Sequence, residues 1–370
     1  MSANPNVNGA APPQAARPNM RRYVIRTAIV TALYFAMLVY PVVRLIGLLV
    51  PHWSPNTLEL LAIIVGPLAG RIIHERWPSA ATRALAAAAL TWLGVCFQLF
   101  TVMLVFEIVN AIAPLPPQPA GLTIATFVAA LSLAGFVNAQ LLHVERVRLA
   151  GPTSVSGLTL VQISDVHIGS RSPRLLERIV ERVNELQPDY VLITGDLIDF
   201  AGISRTELAP LGEFDAPAYF AIGNHERYVD LAAIDERLRA LGVNVLRDEA
   251  AVDGPFQFIG VDDVDQAARI AAPLSRIALS KDHYGVLLYH RPDGFDAAIE
   301  RGIPLTLSGH THAGQLVPFN FLVRRIYPRI RGLYEASGSL LYVSPGTGTW
   351  GPVLRIGSRS EITLFEFAAA

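Results

Sequence analysis

Two histidines stand one residue apart in the segment GHTHAGQL, residues 309–316, directly after a short apolar run. The chain has nine histidines, and imidazole nitrogens are common ligands of divalent metal ions. A surface loop can also carry such a pair by chance. Further ligand-type side chains in matching positions are therefore needed to distinguish a metal site from an ordinary loop.

Ligand-type side chains also follow other short apolar runs in the same half of the chain. Asp165 and His167 follow LTLVQIS, Asp196 follows YVLIT, Asn224 and His225 follow AYFAI, His290 follows GVLLY, and His310 and His312 follow IPLTLS. Such runs are typical of buried strands, and the segments 172–186 and 230–242 between them have helical periodicity. Open α/β sheets bind ligands just beyond the carboxyl ends of their strands, so we expect these side chains to meet.

A glycine precedes three of these motifs, at Gly195, Gly223 and Gly309. We expect each glycine to let the backbone turn sharply at a strand end, because glycine adopts conformations that other residues avoid. The combined set of carboxylate, imidazole and amide oxygen donors suits borderline divalent metals such as Mn²⁺, Fe²⁺ or Zn²⁺. The residues thus predict a metal site in an α/β domain.

The motifs occur in the order SDVHIG, TGDLID, GNHERY, LLYHRPD and SGHTHAGQ. In this order the chain resembles the calcineurin-like metallophosphoesterases, and its last motif is similar to that of a bacterial, membrane-anchored branch with the pattern GHTHxGQ. The resemblance covers residues 143–370. It implies an α/β fold, a β-sandwich flanked by helices, that hydrolyses a phosphodiester or pyrophosphate bond.

The resemblance also implies two divalent metal ions and a role for each site residue. Asp196 would bridge the two ions, Asp165, His167 and His312 would complete the first site, and Asn224, His290 and His310 would complete the second. His225 is expected not to be a ligand; it can donate a proton to the leaving group or stabilise developing charge. The catalytic residues expected on this basis are Asp196, Asn224 and His225.

Four further residues are considered beside the motif residues. Asp199 either orients a ligand histidine or is an ordinary polar loop residue. His283 has no motif around it and is expected to be structural. Glu226 stands where the family more often has Asp, and Ala313 where it more often has Gly; we expect neither to touch a ligand.

The composition indicates a membrane protein rather than an ordinary soluble one, since 52% of the residues are hydrophobic and only 16% are charged. The formal net charge of −1 gives no general case for nucleic-acid binding, and the single cysteine, Cys96, excludes an internal disulfide. Residues 1–22 are expected to be a disordered tail, residues 23–142 a helical transmembrane anchor and residues 143–370 the metallophosphoesterase domain.

Four apolar runs, residues 25–50, 58–73, 84–113 and 121–142, predict about four transmembrane helices, since about 20 apolar residues span a bilayer. The second run is short and contains Gly66-Pro67, so it can also be a re-entrant segment. Arginines flank alternate loops only, which predicts a multi-pass protein of the bacterial inner (cytoplasmic) membrane with both termini and the catalytic domain on the cytoplasmic side.

Two charged residues, Arg44 and Glu107, fall within the first and third apolar runs, at similar distances from their outer ends. The simpler expectation is that each side chain reaches the membrane interface alone, because a long arginine can snorkel. The alternative is an ion pair between the two helices, because charges inside a bilayer are costly and tend to pair.

The segment 315–334 mixes apolar residues with four arginines and directly follows the last candidate ligands. It is either a buried hairpin with a basic edge or a lip that contacts lipid and anionic headgroups. The expected partners are the lipid bilayer and a phosphorylated or lipid-linked nucleotide such as UDP-2,3-diacylglucosamine of lipid A synthesis. The alternatives are soluble nucleotides or phosphoproteins as substrates, or a membrane sensor or scaffold with a residual metal site. The sequence makes no prediction of the oligomeric state.

Overall fold

The computed structural model describes residues 20–200, 202–263 and 270–369. Residues 1–19 of the predicted tail lie outside these ranges. The first helix begins at Met20, so residues 20–22 are helical and the prediction that they belong to a disordered tail is wrong. Met20 and the two arginines after it are good helix formers, and they extend the apolar helix toward its N-terminus.

The N-terminal part is a set of four helices, which together we call the anchor. They are α1 (Met20–Leu49), α2 (Thr57–Arg76), α3 (Ala80–Ile112) and α4 (Pro117–Gln140). Within the described residues, these four are long and apolar enough to cross a membrane. The second run is one continuous helix that includes Pro67, and Asn56 and Ser79 form capping boxes at the starts of α2 and α3.

Helices α1 and α3 lie side by side and are joined by an ion pair. Arg44 Nε lies 2.6 Å from Glu107 Oε1, and the Tyr40 hydroxyl donates to the same carboxylate oxygen at 3.1 Å. The two charges therefore neutralise each other within the anchor, and the expectation that each reaches the interface alone is wrong. Since both helices run in the same direction, residues five positions from their ends meet at the same level.

The C-terminal part is a sandwich of two six-stranded sheets. The first sheet has the order β1 (Leu142–Gly151), β12 (Ser360–Ala369), β2 (Thr159–Ile163), β3 (Tyr190–Thr194), β4 (Ala218–Ala221) and β5 (Asn244–Leu246). The second has the order β10 (Gly332–Ala336), β11 (Ser339–Val343), β9 (Leu305–Ser308), β8 (Tyr284–Leu288), β7 (Phe256–Gly260) and β6 (Glu249–Asp253). Strands β2 to β5 are mutually parallel, as are β7, β8, β9 and β11.

Three apolar layers hold the sandwich together. Aromatic residues such as Tyr219, Phe256 and Phe258 fill the space between the sheets. Helices α5 (Pro173–Asn184) and α7 (Leu231–Arg239) cover the outer face of the first sheet, with the short α6 (Arg205–Leu208) beside them. Helices α8 (Ala271–Arg276) and α9 (Phe295–Glu300) cover the second sheet. The prediction of a β-sandwich flanked by helices after a four-helix anchor is confirmed.

The predicted strands are β2, β3, β4, β8 and β9, and YVLIT matches β3 residue for residue. Strand β1 was not predicted: α4 ends at Gln140, and Leu142 already begins a strand that pairs in parallel with β12 over ten residues. Helix α10 (Phe319–Ile326) replaces the hairpin considered for the segment 315–334. The alternation of apolar residues with arginines fits one exposed amphipathic helix as well as it fits a hairpin.

The anchor packs directly on the sandwich beside the carboxyl ends of the parallel strands. In α3, Gln98 Nε2 donates to the carbonyl of Val317 at 2.9 Å. In α4, Asn138 Nδ2 donates to the carbonyls of Arg355 and Ser358 at 2.9 and 2.8 Å. An ion pair between Arg83 and Glu207 adds a further connection. These contacts hold α3 next to the strand ends where the candidate ligands lie.

Candidate metal centre

The candidate ligands follow five strand ends and converge on one small space. Five of these residues have a left-handed backbone: Asp165 (φ 54°), His167 (59°), Asp196 (51°), His310 (70°) and His312 (49°). This conformation costs about 1–2 kcal/mol for a non-glycine residue. The sequence gives no direct sign of it, and such strain is typical of sites where the surrounding structure fixes side-chain direction for function.

The first group of ligand-type atoms comprises Asp165, His167 and His312, which are all buried. Their ligating atoms lie within 4.8 Å of one another. His312 Nε2 lies 3.3 Å from Asp165 Oδ1, and the Nε2 atoms of the two histidines are 3.1 Å apart. Two imidazole nitrogens and a carboxylate oxygen so close together form a pocket that a divalent cation can occupy.

The second group comprises Asp196, His290 and His310. His290 Nε2 lies 3.0 Å from Asp196 Oδ2, and His310 Nδ1 lies 3.2 Å from His290 Nε2. The Nδ1 atom of His290 is 2.7 Å from the Thr194 carbonyl, which can only accept, so Nδ1 carries a proton and Nε2 is the nitrogen that faces the site. Asp196 also groups with His167 and His225, so its carboxylate lies between the two groups.

Asn224 lies at this site with its side chain buried, and its Oδ1 atom has no hydrogen-bond partner among the described residues. A buried amide oxygen without a partner is costly unless another group binds it. As a cation ligand, the amide oxygen of Asn224 would add a second oxygen donor to the carboxylate of Asp196 in this group. The chemistry of this orphaned atom therefore fits a metal ion beside Asp196 and His290.

Asp199 contacts two histidines of the site. Of its two expected roles, these contacts favour the one in which it orients a ligand histidine. Its Oδ1 atom lies 2.5 Å from His167 Nδ1 and 2.7 Å from His225 Nδ1, and Ser170 donates to Oδ2. Burial raises the pKa of Asp199, but the charges and hydrogen bonds of His167 and His225 outweigh it and hold the pKa well below its ordinary value. An ionised Asp199 fixes both rings with Nε2 facing the site.

Burial also affects the two histidines of the GHTH motif. It lowers the pKa of His310 to about 3 and that of His312 to about 4. Both imidazoles are therefore neutral near pH 7, which is the form that binds metals. The side chain of His225 is 21% exposed and lines the cavity described below, so a substrate can reach it.

Glu226 contacts the site, contrary to the expectation that it touches no ligand. Its fully buried carboxylate accepts hydrogen bonds from the backbone N–H groups of Asp196 (3.0 Å), Gly223 (2.9 Å) and Ile198 (2.9 Å). It thereby fixes the loops after β3 and β4 relative to each other. Its position directly after GNH was the only signal in the sequence. Ala313 has φ 52°, which explains why glycine suits this position.

The three glycines of the motifs serve two different purposes. Gly195 has φ 80°, so its predicted sharp turn is confirmed. Gly223 and Gly309 are not in the left-handed region, and their role is close approach. A Cβ atom at Gly223 would lie 2.3 Å from Asp196 Oδ1, and one at Gly309 would lie 2.2 Å from Asp165 Oδ2. Any side chain at these two positions would displace a candidate ligand.

A cavity of about 510 Å³ adjoins the site. Its polar end is formed by Asp196, Asn224, His225, His310 and His312. Its other walls are mainly apolar and come from the anchor as well as from the sandwich. His283 is remote from this cavity and hydrogen-bonds Ser280 at 2.7 Å.

Comparison with known proteins identifies the C-terminal part. A family model described as calcineurin-like phosphoesterase matches residues 158–314. An uncharacterized metallophosphoesterase of Aquifex aeolicus is 33% identical over 241 residues, which are 62% of this chain and 91% of the relative.

Two vertebrate proteins are also similar. Proteins from Danio rerio and Bos taurus, both named transmembrane protein with metallophosphoesterase domain, are 39% identical over 262 residues and 36% identical over 243 residues. The matches cover 64% and 59% of this chain. The chain spans 60% and 55% of the length of these two relatives.

Proposed function

The chain belongs to the calcineurin-like phosphoesterase family, and on that premise we propose that it is a membrane-anchored, metal-dependent hydrolase of phosphodiester or pyrophosphate bonds. One observation carries the proposal: seven ligand-type side chains from five strand ends converge at one site. Asp196 groups with His167 on one side of this site and with His290 and His310 on the other. A metal site left over from a lost activity would not be expected to keep all of these side chains together. The sensor or scaffold alternative is therefore disfavoured.

Two divalent ions fit the donor set. Asp165, His167 and His312 would hold one ion, Asn224, His290 and His310 would hold the other, and Asp196 would contact both. When bound, such a pair of ions supplies an activated water nucleophile and neutralises charge on the phosphoryl oxygens. Mixed imidazole and oxygen donors favour Mn²⁺, Fe²⁺ or Zn²⁺.

His225 is the residue best suited to act on the leaving group. Its Nδ1 atom is fixed by Asp199 at 2.7 Å, and its Nε2 atom, 3.9 Å from Asp196 Oδ2, faces the cavity. His225 can donate its Nε2 proton to the departing oxygen.

The cellular location is part of the same proposal. The arginines flanking alternate loops support a bacterial inner membrane protein whose catalytic domain faces the cytoplasm. Four apolar helices and the names of the vertebrate relatives support membrane attachment.

The substrate of the proposed enzyme is a phosphoester that reaches a site beside the membrane. UDP-2,3-diacylglucosamine is one compound of this kind, but none of the relatives reported above has a name that mentions lipid A synthesis. We therefore retain the wider class of lipid-linked phosphoesters, with soluble nucleotides and phosphoproteins as the competing class.

The experiment uses the purified full chain and bis(4-nitrophenyl) phosphate. We expect removal of metal by a chelator to abolish hydrolysis, and Mn²⁺ or Zn²⁺ to restore it. Asp196→Asn should abolish hydrolysis and reduce bound metal, while the matched control Asp282→Asn, on an exposed loop, should behave like the unaltered protein. Near-normal hydrolysis and metal content in Asp196→Asn would refute the proposal.

A further inference from the structure

The cavity at the metal centre is walled partly by the anchor. We call its apolar part the lateral cleft, which is lined by Met37, Leu93 and Phe97 from the anchor and by Phe319, Val323 and Trp350 from the sandwich. Phe319 and Trp350 are 39% and 52% exposed, so the cleft reaches the molecular surface there. A single cavity thus connects candidate metal ligands with the sides of two apolar helices.

Helix α10 spans the short distance between the anchor and the metal centre. At its start, the ring of Phe319 packs edge-to-face on Phe97 of α3, with ring centroids 6.2 Å apart. Just after its end, the Tyr327 hydroxyl lies 3.0 Å from His310 Nε2. Its eight residues span about 12 Å, at about 1.5 Å per residue. A molecule about this long can have one end at the metal centre and the other against the anchor.

The depth of the lateral cleft in a membrane follows from the lengths of the helices. Met37 lies about 18 Å from the end of α1, and Phe97 about 22 Å from the end of α3, at about 1.5 Å per residue. The Arg44–Glu107 pair keeps those two ends level. The hydrocarbon core of a bilayer is about 30 Å thick. With the ends of α1 and α3 at its far edge, the cleft falls within this core, in the leaflet on the side of the sandwich.

The outer surface of α10 has the composition expected at that depth. Phe321, Leu322 and Ile326 are 66%, 54% and 62% exposed, an unusual set of apolar side chains to leave in water. Arg324 and Arg325 lie between them and form no ion pair within the described residues. Arginines at the edge of an apolar interfacial helix suit the phosphate groups of lipids.

We propose that the substrate is a membrane lipid that enters sideways from the bilayer, with its phosphoester at the metal centre and its hydrocarbon chain in the lateral cleft. This inference rests on the proposed function and narrows its substrate class. The anchor is then part of the substrate site as well as an attachment to the membrane. Water adds to phosphorus, the P–O bond to the leaving group breaks, and the leaving oxygen takes up a proton.

Two synthetic esters that differ only in chain length test this proposal. Hexadecyl 4-nitrophenyl phosphate remains in the membrane, whereas ethyl 4-nitrophenyl phosphate is soluble in water, and hydrolysis of either one by water releases 4-nitrophenol. The full chain is reconstituted with Mn²⁺ in phosphatidylcholine nanodiscs. The nanodisc concentrates the hexadecyl ester at its surface, and this alone raises the rate at which that ester is hydrolysed. The test therefore depends on how variants of the protein change the preference between the two esters.

Leu93→Trp fills the cleft from the anchor side, and its matched control is Leu104→Trp, an exposed leucine of the same helix. Val323→Trp fills the cleft from α10, and its control is the exposed Leu322→Trp. We expect each filling variant to lower the ratio of kcat/KM for the hexadecyl ester to that for the ethyl ester by roughly tenfold or more, as for an occupied apolar pocket. The controls should leave the ratio unchanged.

The outcomes separate this inference from the proposed function. If both esters are hydrolysed but the filling variants leave their ratio unchanged, the hydrocarbon chain does not occupy the lateral cleft and the inference is wrong. If neither ester is hydrolysed by protein that binds Mn²⁺, the proposed function itself fails. Should Leu93→Trp not fold, Val323→Trp provides the same test from the other wall.

Discussion

Asp199 Oδ1 lies 2.7 Å from Nδ1 of His225, and this contact fixes a site histidine that lines the cavity. The same oxygen also holds His167, so a single carboxylate orients a candidate ligand and a candidate proton donor together. The loop between β3 and α6 thereby links a candidate metal ligand that follows β2 to a candidate proton donor that follows β4.

Loss of His225 should impair chemistry without loss of metal. We expect His225→Ala to lower kcat by about 10²–10⁴, the usual contribution of a general acid or base. Metal content, measured by elemental analysis of the purified protein, should remain that of the unaltered chain. His283→Ala is the control, since that ring is remote from the cavity. Loss of metal in His225→Ala would instead make this residue a ligand.

Asp199→Asn should weaken the site through the two histidines it orients. An amide cannot accept strongly from both rings, so we expect about a 10- to 100-fold loss of activity or metal affinity, as for other groups that hold a ligand histidine. Competition with a chromogenic chelator measures the affinity, and Asp282→Asn is the control. Unchanged activity together with unchanged affinity would show that Asp199 is only a polar loop residue.

The Arg44–Glu107 ion pair should appear as a coupling energy. We expect Arg44→Glu and Glu107→Arg each to lower the thermal stability in detergent, because like charges then face each other. The double exchange should recover much of the loss, with a coupling of about 1 kcal/mol, within the range measured for polar contacts between membrane helices. If the double variant has only the summed losses, the two residues are not coupled.

The orientation of the anchor can be measured by cysteine labelling in cells. A cysteine at Asn56, in the arginine-free loop before α2, should react with a membrane-impermeant maleimide added from outside. A cysteine at the exposed Asp282 of the sandwich should react only after the cells are lysed. Ser358 is buried and would report nothing, and the native Cys96 is buried as well. The reverse labelling pattern would refute a cytoplasmic catalytic domain.

The positions of the candidate ligands were predictable because each follows a short apolar strand, and strand ends are where such sheets collect functional groups. The sequence left Asp199 between two roles and did not indicate the role of Glu226, since their partners lie some 30 residues away or in the backbone and no spacing rule reveals them. Strand β1 was missed because its residues mix charged with apolar side chains and form no short apolar run like the other strands. The left-handed backbones at Asp165 and His312 arise from tertiary contacts, which override local preference.

The arrangement of the first sheet also has a consequence for biosynthesis. Strand β12 lies between β1 and β2, although it follows every other strand in the sequence. A ribosome therefore releases the four apolar helices well before the sheet can close. We therefore expect insertion into the bilayer to come first and the sandwich to be completed afterwards against the inserted helices. The nascent sandwich then has an open gap for much of translation, the period in which chaperones would be most needed.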